Sequence, residues 1–249
     1  MKINRFVSAG AVVAAGLLAS LTAAHATNDP NQLSPANRAL YTNNHLASIK
    51  NPTVLMYDFE KTGSLETGFK DTVEADVTAI ERDGRKDLSF NFLSGEHHIE
   101  FHDFADYMGN PIFMLFLERD VREMQRLNQG NALYYRNRIR NALAGSATVT
   151  PTTFTFEGKT LKGTEIRIQP YADDPDNNRY PRFAKKTYSF ILSDEVPGGF
   201  YKVDSYTPDP LTNGPLMAET LTFHDAHLPA TEKHAASKTG QDSVADKAK

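Results

Sequence analysis

The sequence predicts an α+β protein: a strongly curved antiparallel sheet or half-barrel of about eight or nine strands, with two central helices packed on one side. Three observations lead there. Apolar and polar residues alternate with a period of two through 54–101 and again through 153–224. Between these stretches the apolar spacing changes to three and four, the helical period. Turn-forming residues, chiefly Gly beside Asp, Asn or Glu, separate the runs.

The chain opens with Lys2 and Arg5, then a run rich in Ala, Val, Leu and Gly from Phe6 to about Ala23, and closes that segment on Ala24-His25-Ala26. These are the three parts of a cleavable secretory signal. The apolar core falls short of the roughly 20 residues that span a bilayer, and Ser8 and Ser20 dilute it. Residues 1–26 are therefore expected to be a signal peptide, and the mature protein to be periplasmic or secreted. Loss of Lys2 and Arg5 takes the formal net charge from −4 to −6. A mildly acidic chain without a basic domain argues against nucleic acid as a partner. No later segment approaches membrane-spanning length, so no transmembrane segment is expected after cleavage. The chain has no cysteine, which excludes disulfides, thiolate nucleophiles, thiolate zinc sites and lipid anchoring through cysteine. Residues 27–46 are polar, rich in Asn, and read as an irregular lead-in. Residues 47–228 read as a single α+β domain. Residues 229–249, with Val244 their only branched aliphatic, read as a disordered tail.

In the first half of the domain, Leu55, Tyr57 and Phe59 share one face opposite Val54, Met56 and Asp58. From Phe69, the residues Val73, Ala75 and Val77 share a face opposite Thr72, Glu74 and Asp76. Asp83-Gly84 reads as a hairpin turn into a return strand, Asp87 to Leu93, carrying Leu88, Phe90 and Phe92. Gly95 is expected to turn the chain into a further strand through Ile99 and Phe101. Asn110-Pro111 then supplies a cap and first turn for a helix with Phe113, Leu117, Val121 and Met124 in its stripe, and Glu118, Arg119, Arg122, Glu123 and Arg126 on the far side. Gly130 ends it, and Asn131 caps a second helix to about Leu143. Strands are expected again at Thr153 to Phe156, Gly163 to Gln169, Lys185 to Leu192, Phe200 to Tyr206 and Met217 to His224. The intervening loop Tyr171 to Phe183 is rich in Asp, Asn and Pro and is expected to be exposed.

Neither a Gly-x-Ser-x-Gly elbow, a phosphate-binding loop nor His-Glu-x-x-His occurs, so no catalytic constellation is recognised. On a strand, His98, Glu100 and His102 would face one side about 7 Å apart in successive steps. They form a candidate Zn or Cu site requiring a further ligand, for which His224 and His227 are available; the alternative is a solvated strand face without any cofactor. The Arg-rich helices read more simply as solvated ion-paired surface than as an anion site. Phe and Tyr number 15 and 10, and many lie on strands or on the helix stripe. Phe90, Phe92, Phe113, Phe116, Leu117 and Phe190 are the candidate lining of an apolar cavity for a lipid-like small molecule, against the alternative of a closed aromatic core. A third reading is an envelope scaffold that binds another envelope protein.

The run from Thr187 to Val203, Thr-Tyr-Ser-Phe-Ile-Leu-Ser-Asp-Glu-Val-Pro-Gly-Gly-Phe-Tyr-Lys-Val, together with the order of elements, resembles the periplasmic lipoprotein-carrier (LolA/LolB-like) superfamily. The resemblance implies an incomplete barrel of antiparallel strands, helices acting as a lid, and a cavity that takes acyl chains.

Overall fold

The computed structural model describes residues 33–175 and 181–229. The expected signal peptide and the tail from residue 230 onward lie outside them. The described residues form helices α1 (Pro35–Tyr41), α2 (Ile112–Asn128) and α3 (Ala132–Gly145). They also form strands β1 (Thr53–Thr62), β2 (Phe69–Ile80), β3 (Lys86–Phe92), β4 (Phe104–Tyr107), β5 (Thr148–Phe156), β6 (Lys159–Ile168), β7 (Thr187–Leu192), β8 (Phe200–Pro208) and β9 (Pro215–His227). All nine strands join one antiparallel sheet in the order β4-β3-β2-β1-β9-β8-β7-β6-β5. The protein is α+β, as the change of period predicts.

The sheet is strongly curved. The Tyr201 hydroxyl of β8 donates to the Thr155 carbonyl of β5 at 3.0 Å, and the Phe156 ring of β5 lies 5.5 Å from that of Phe223 on β9. Four strand steps separate β5 from β9, about 19 Å on a flat sheet. Only coiling brings these rings into contact. The two edge strands, β4 and β5, are consecutive apart from α2 and α3, so the helical hairpin crosses the open side of the half-barrel from one edge to the other.

Alternation holds on each long strand. Leu55, Tyr57 and Phe59 of β1, Val73, Ala75 and Val77 of β2, and Met217, Leu221 and Phe223 of β9 are buried on one face. At 25 cal/mol per Å², burying such a side chain contributes about 1.5–3 kcal/mol, which fixes the register, since a one-residue slip would expose every one of them. Asn131 caps α3 by accepting the Leu133 N–H at 2.8 Å. At the start of α2, Asn110 Oδ1 accepts the Ile112 N–H at 3.1 Å, while its side-chain NH2 donates to the Tyr57 hydroxyl and the Gly198 carbonyl. That one buried amide joins β1, α2 and the turn between β7 and β8. Gly198 and Gly199, with φ of +79° and +72°, make this turn possible.

Three expectations require correction. The segment read as an irregular lead-in contains α1, with Ser34 accepting the Asn37 N–H and Pro35 in the first turn; this is an N-terminal signal in plain view. The strand expected after Gly95 is not formed. Leu93 and Gly95 take positive φ, Gly95–His97 is a 3-10 turn, and only an isolated bridge joins Phe92 to Ile99 before β4 begins at Phe104. The loop after β6 is not uniformly exposed, because Tyr171, Asp174 and Phe183 are buried.

Candidate functional site

The side of the sheet beneath α2 divides into an aromatic half and a charged half. In the aromatic half, Phe113 of α2 stacks on Phe200 at 5.3 Å and stands edge-on to Phe190 at 6.2 Å. Phe116 is wholly buried beside it. The structure thus brings Phe113 and Phe190 together and buries Phe116 in the same core. Phe92 is buried further along, edge-on to Phe101 at 5.2 Å; Phe90, half-buried, packs on Phe104 at 5.7 Å. These two belong to the β3–β4 edge and not to the Phe113 cluster.

Leu117 has a different setting. With Tyr41, Met114, Val121, Ile139 and Leu143 it lines a cleft of about 190 Å³ where α1, α2 and α3 meet, and Glu118, Arg136 and Arg140 complete the lining. Arg136 is committed to Glu118 at 2.6 Å. Among the described residues Arg140 reaches only the Asn137 side chain, at 3.4 Å. The cleft has an apolar floor and a cationic rim.

The charged half was not anticipated from the sequence. One row of the register runs Lys61, Glu219, Ser205 and Tyr188 across β1, β9, β8 and β7. Against it α2 presents Arg119, Asp120 and Glu123. Lys186 Nζ lies 2.6 Å from Asp120 Oδ1, both side chains 0 % exposed, and the Tyr188 hydroxyl donates to Asp120 Oδ2 at 2.5 Å. Arg119 Nη1 lies 2.5 Å from Glu219 Oε1, a buried pair of opposite charges. The Arg119 guanidinium also covers the Phe59 ring at 4.7 Å. Lys61 joins Glu123 at 2.5 Å and Glu66 at 2.8 Å, and Arg126 closes the group onto both carboxylates.

Burial raises the Glu219 carboxyl despite the opposing charge of Arg119. Burial acts upward on Glu123 too, but the hydrogen bonds from Arg126 and Lys61 outweigh it and hold this carboxyl at about 2. Burial similarly opposes protonation of Lys61, and Glu123 and Glu66 overcome it to raise the ammonium. Arg119 therefore belongs to the interior, not to the solvated face on which the helix stripe placed it. The signal was present: Arg119 and Asp120 follow Phe116 at three and four residues, and Glu219 alternates in phase with Met217 and Leu221.

The histidine cluster takes another geometry from the one its strand reading required. His98 ends the 3-10 turn, with Nδ1 on the Leu93 carbonyl at 3.1 Å and Nε2 on Glu100 at 3.3 Å. The Leu93 carbonyl, then Glu100, raise its imidazole. His97 stacks on Phe69 at 3.7 Å. His224 pairs with Asp58 and His227 with the Val54 carbonyl. His102 joins none of these pairs, and among the described residues no three His, Asp or Glu side chains are grouped to hold a metal ion.

No protein-family model matches the chain, and no curated protein matches it in sequence. Three solved structures are similar to it. The Mycobacterium tuberculosis lipoprotein LppX is 11% identical, covers 76% of this chain and 93% of its own, and superposes with a TM-score of 0.33. LprF from Mycobacterium bovis is 12% identical over 82% of this chain and 99% of its own, with a TM-score of 0.27. A LolA superfamily protein from Nitrosomonas europaea is 7% identical over 82% and 97%, with a TM-score of 0.22.

Proposed function

We propose that the protein is an exported, non-catalytic binding protein of the periplasm or envelope that holds an apolar or amphipathic, lipid-like ligand among its helices. The observation that carries this reading is the cleft at Leu117: an apolar floor supplied by three helices, with the Arg140 guanidinium at its mouth and, among the described residues, no carboxylate paired to it. An apolar chain gains by leaving water for that floor, and an anionic head gains at the rim. At about 190 Å³ the cleft takes a segment of a chain. A longer ligand extends between α2 and the aromatic half, replacing the contacts of Phe113 with Phe190 and Phe200. The signal peptide expected from the sequence of residues 1–26 supports the location.

The test is native mass spectrometry of the protein expressed with its own signal, followed by organic extraction and metal analysis of the same sample. A lipid-sized mass that disappears in Met114→Trp, which fills the cleft, is the expected result. A bare mass without lipid or metal overturns the reading and favours an envelope scaffold. Stoichiometric zinc or copper lost in His98→Ala would favour the histidine cluster instead.

A further inference from the structure

A second concavity, separate from the Leu117 cleft, lies where the end of α1 meets β6 and the turn between β7 and β8. Its volume is about 370 Å³, within the range of about 300–1,000 Å³ typical of small-ligand sites. Its character is the opposite of the cleft's, because its lining combines both signs of charge with amide and hydroxyl groups.

Two features give it chemical definition. The first is a rigid frame. Glu195 Oε1 accepts the Lys162 N–H at 2.9 Å, Ser193 Oγ donates to the Lys162 carbonyl at 2.6 Å, and the Glu195 N–H donates to Ser193 Oγ at 3.1 Å. These bonds fix the backbone that carries Lys162 and Asp194 while leaving both charged ends uncommitted. Among the described residues neither Lys162 Nζ nor the Asp194 carboxylate has an ion-pair or hydrogen-bond partner. The second feature is His45, which is 7 % exposed. Its Nε2 meets the Ala39 carbonyl at 2.9 Å. A carbonyl only accepts, so Nε2 carries the proton and the ring is neutral; its Nδ1 is closed off from solvent and lies toward Gly109, so His45 is a fixed, uncharged wall of the concavity. Burial lowers the imidazole and favours that neutral form.

We infer that this concavity is a binding site for a small zwitterion of amino-acid size, with Lys162 receiving its carboxylate and Asp194 receiving its ammonium. The ammonium of Lys162 and the carboxylates of Asp194 and Glu195, held on one rigid frame, match a ligand that carries both charges. A simple anion would meet Asp194 and Glu195, and a simple cation would meet Lys162, each unfavourable without a counter-charge. Thr164 and Asn43 add polar groups for further donors and acceptors.

Isothermal titration of the purified protein with L-alanine, L-glutamate and L-lysine, against acetate, methylammonium and glucose, tests this. At least one amino acid is expected to bind saturably with Kd below about 1 mM, and none of the three comparators to match it. Lys162→Ala and Asp194→Asn, both at the exposed rim, are each expected to weaken that binding by about tenfold or more and to leave the ligand-free melting temperature unchanged. The inference is overturned if no amino acid binds at about 10 mM, if a comparator binds as tightly, or if both variants bind as the unmodified protein does. Lipid content in the same preparations reports on the Leu117 cleft alone, so the two readings fail separately.

Discussion

Breaking the Asp120–Lys186 pair probes whether α2 is fixed to the sheet by buried charge. At 2.6 Å and an effective dielectric of about 20, the attraction is about 6 kcal/mol, and most of it offsets the cost of removing two ions from water. The net value of the pair is therefore small, while the cost of breaking it is large. Asp120→Leu leaves Lys186 buried without its hydrogen-bonded anion, with only the more distant charge of Glu219, itself paired to Arg119. Lys186→Met leaves Asp120 with the Tyr188 hydroxyl as its remaining donor. Each single change is expected to cost about 3–5 kcal/mol, a large part of an ordinary domain stability of about 5–15 kcal/mol. The double variant, with an apolar pair of similar volume, is expected to lie within about 1 kcal/mol of the unmodified protein, a coupling above about 3 kcal/mol. Urea unfolding at neutral pH, with a constant m-value, measures all four corners of the cycle. Singles costing less than about 1 kcal/mol, or a double variant equal to their sum, would refute the buried, coupled pair.

Acid should destabilise the protein through the neighbouring ion group. Glu123 is held at about 2 in the folded chain against an ordinary 4.5, so its contribution is complete above about pH 4.5 and lost as pH falls toward 2. This contribution reaches about 3 kcal/mol. Glu219 is raised, so protonation on acidification favours the folded state and acts with the opposite sign. Unfolding free energies between pH 7 and pH 3 are expected to fall less steeply in Glu123→Gln than in the unmodified protein; an unchanged slope would mean that Glu123 is not held low. In the β7–β8 turn, a Cβ on Gly199 would stand 2.7 Å from His45 Cβ at a φ of +72°, whereas one on Gly84, with φ +86°, meets nothing within 4 Å. Gly84→Ala is expected to cost about 1 kcal/mol and Gly199→Ala more than about 3 kcal/mol, a difference that chemical denaturation resolves. Asn131→Ala removes the α3 cap and is expected to cost about 1 kcal/mol, with faster amide exchange in the first turn of α3.

The strands were legible because one face of each is buried: β2 follows the alternation of Val73, Ala75 and Val77 throughout, and β9 that of Met217, Leu221 and Phe223. The helices were legible from spacing and caps. What escaped was the breadth of the buried face of α2. The stripe Phe113, Leu117, Val121 and Met124 is only its centre, and Ile112, Leu115, Phe116, Arg119 and Asp120 are buried on either side. A helix lying inside a curved sheet is enclosed over much more of its circumference than one resting on a flat face, so charged residues flanking the stripe enter the interior. They do so only where the sheet answers them, as Glu219 answers Arg119 and Lys186 answers Asp120. Sequence periodicity assigns each residue to a face of its own element; it carries no record of the element opposite. The same limit applies to the two sites. The Leu117 cleft needs three helices, one of them inside the presumed lead-in, and the Lys162–Asp194 concavity needs α1 as its wall. Each is a product of where the short α1 docks, through the Ser34 hydroxyl on the Leu143 carbonyl at 2.7 Å and the Tyr41 ring on Phe113 at 5.1 Å. Displacing that one helix would open both sites to solvent while leaving the nine-stranded sheet its own core.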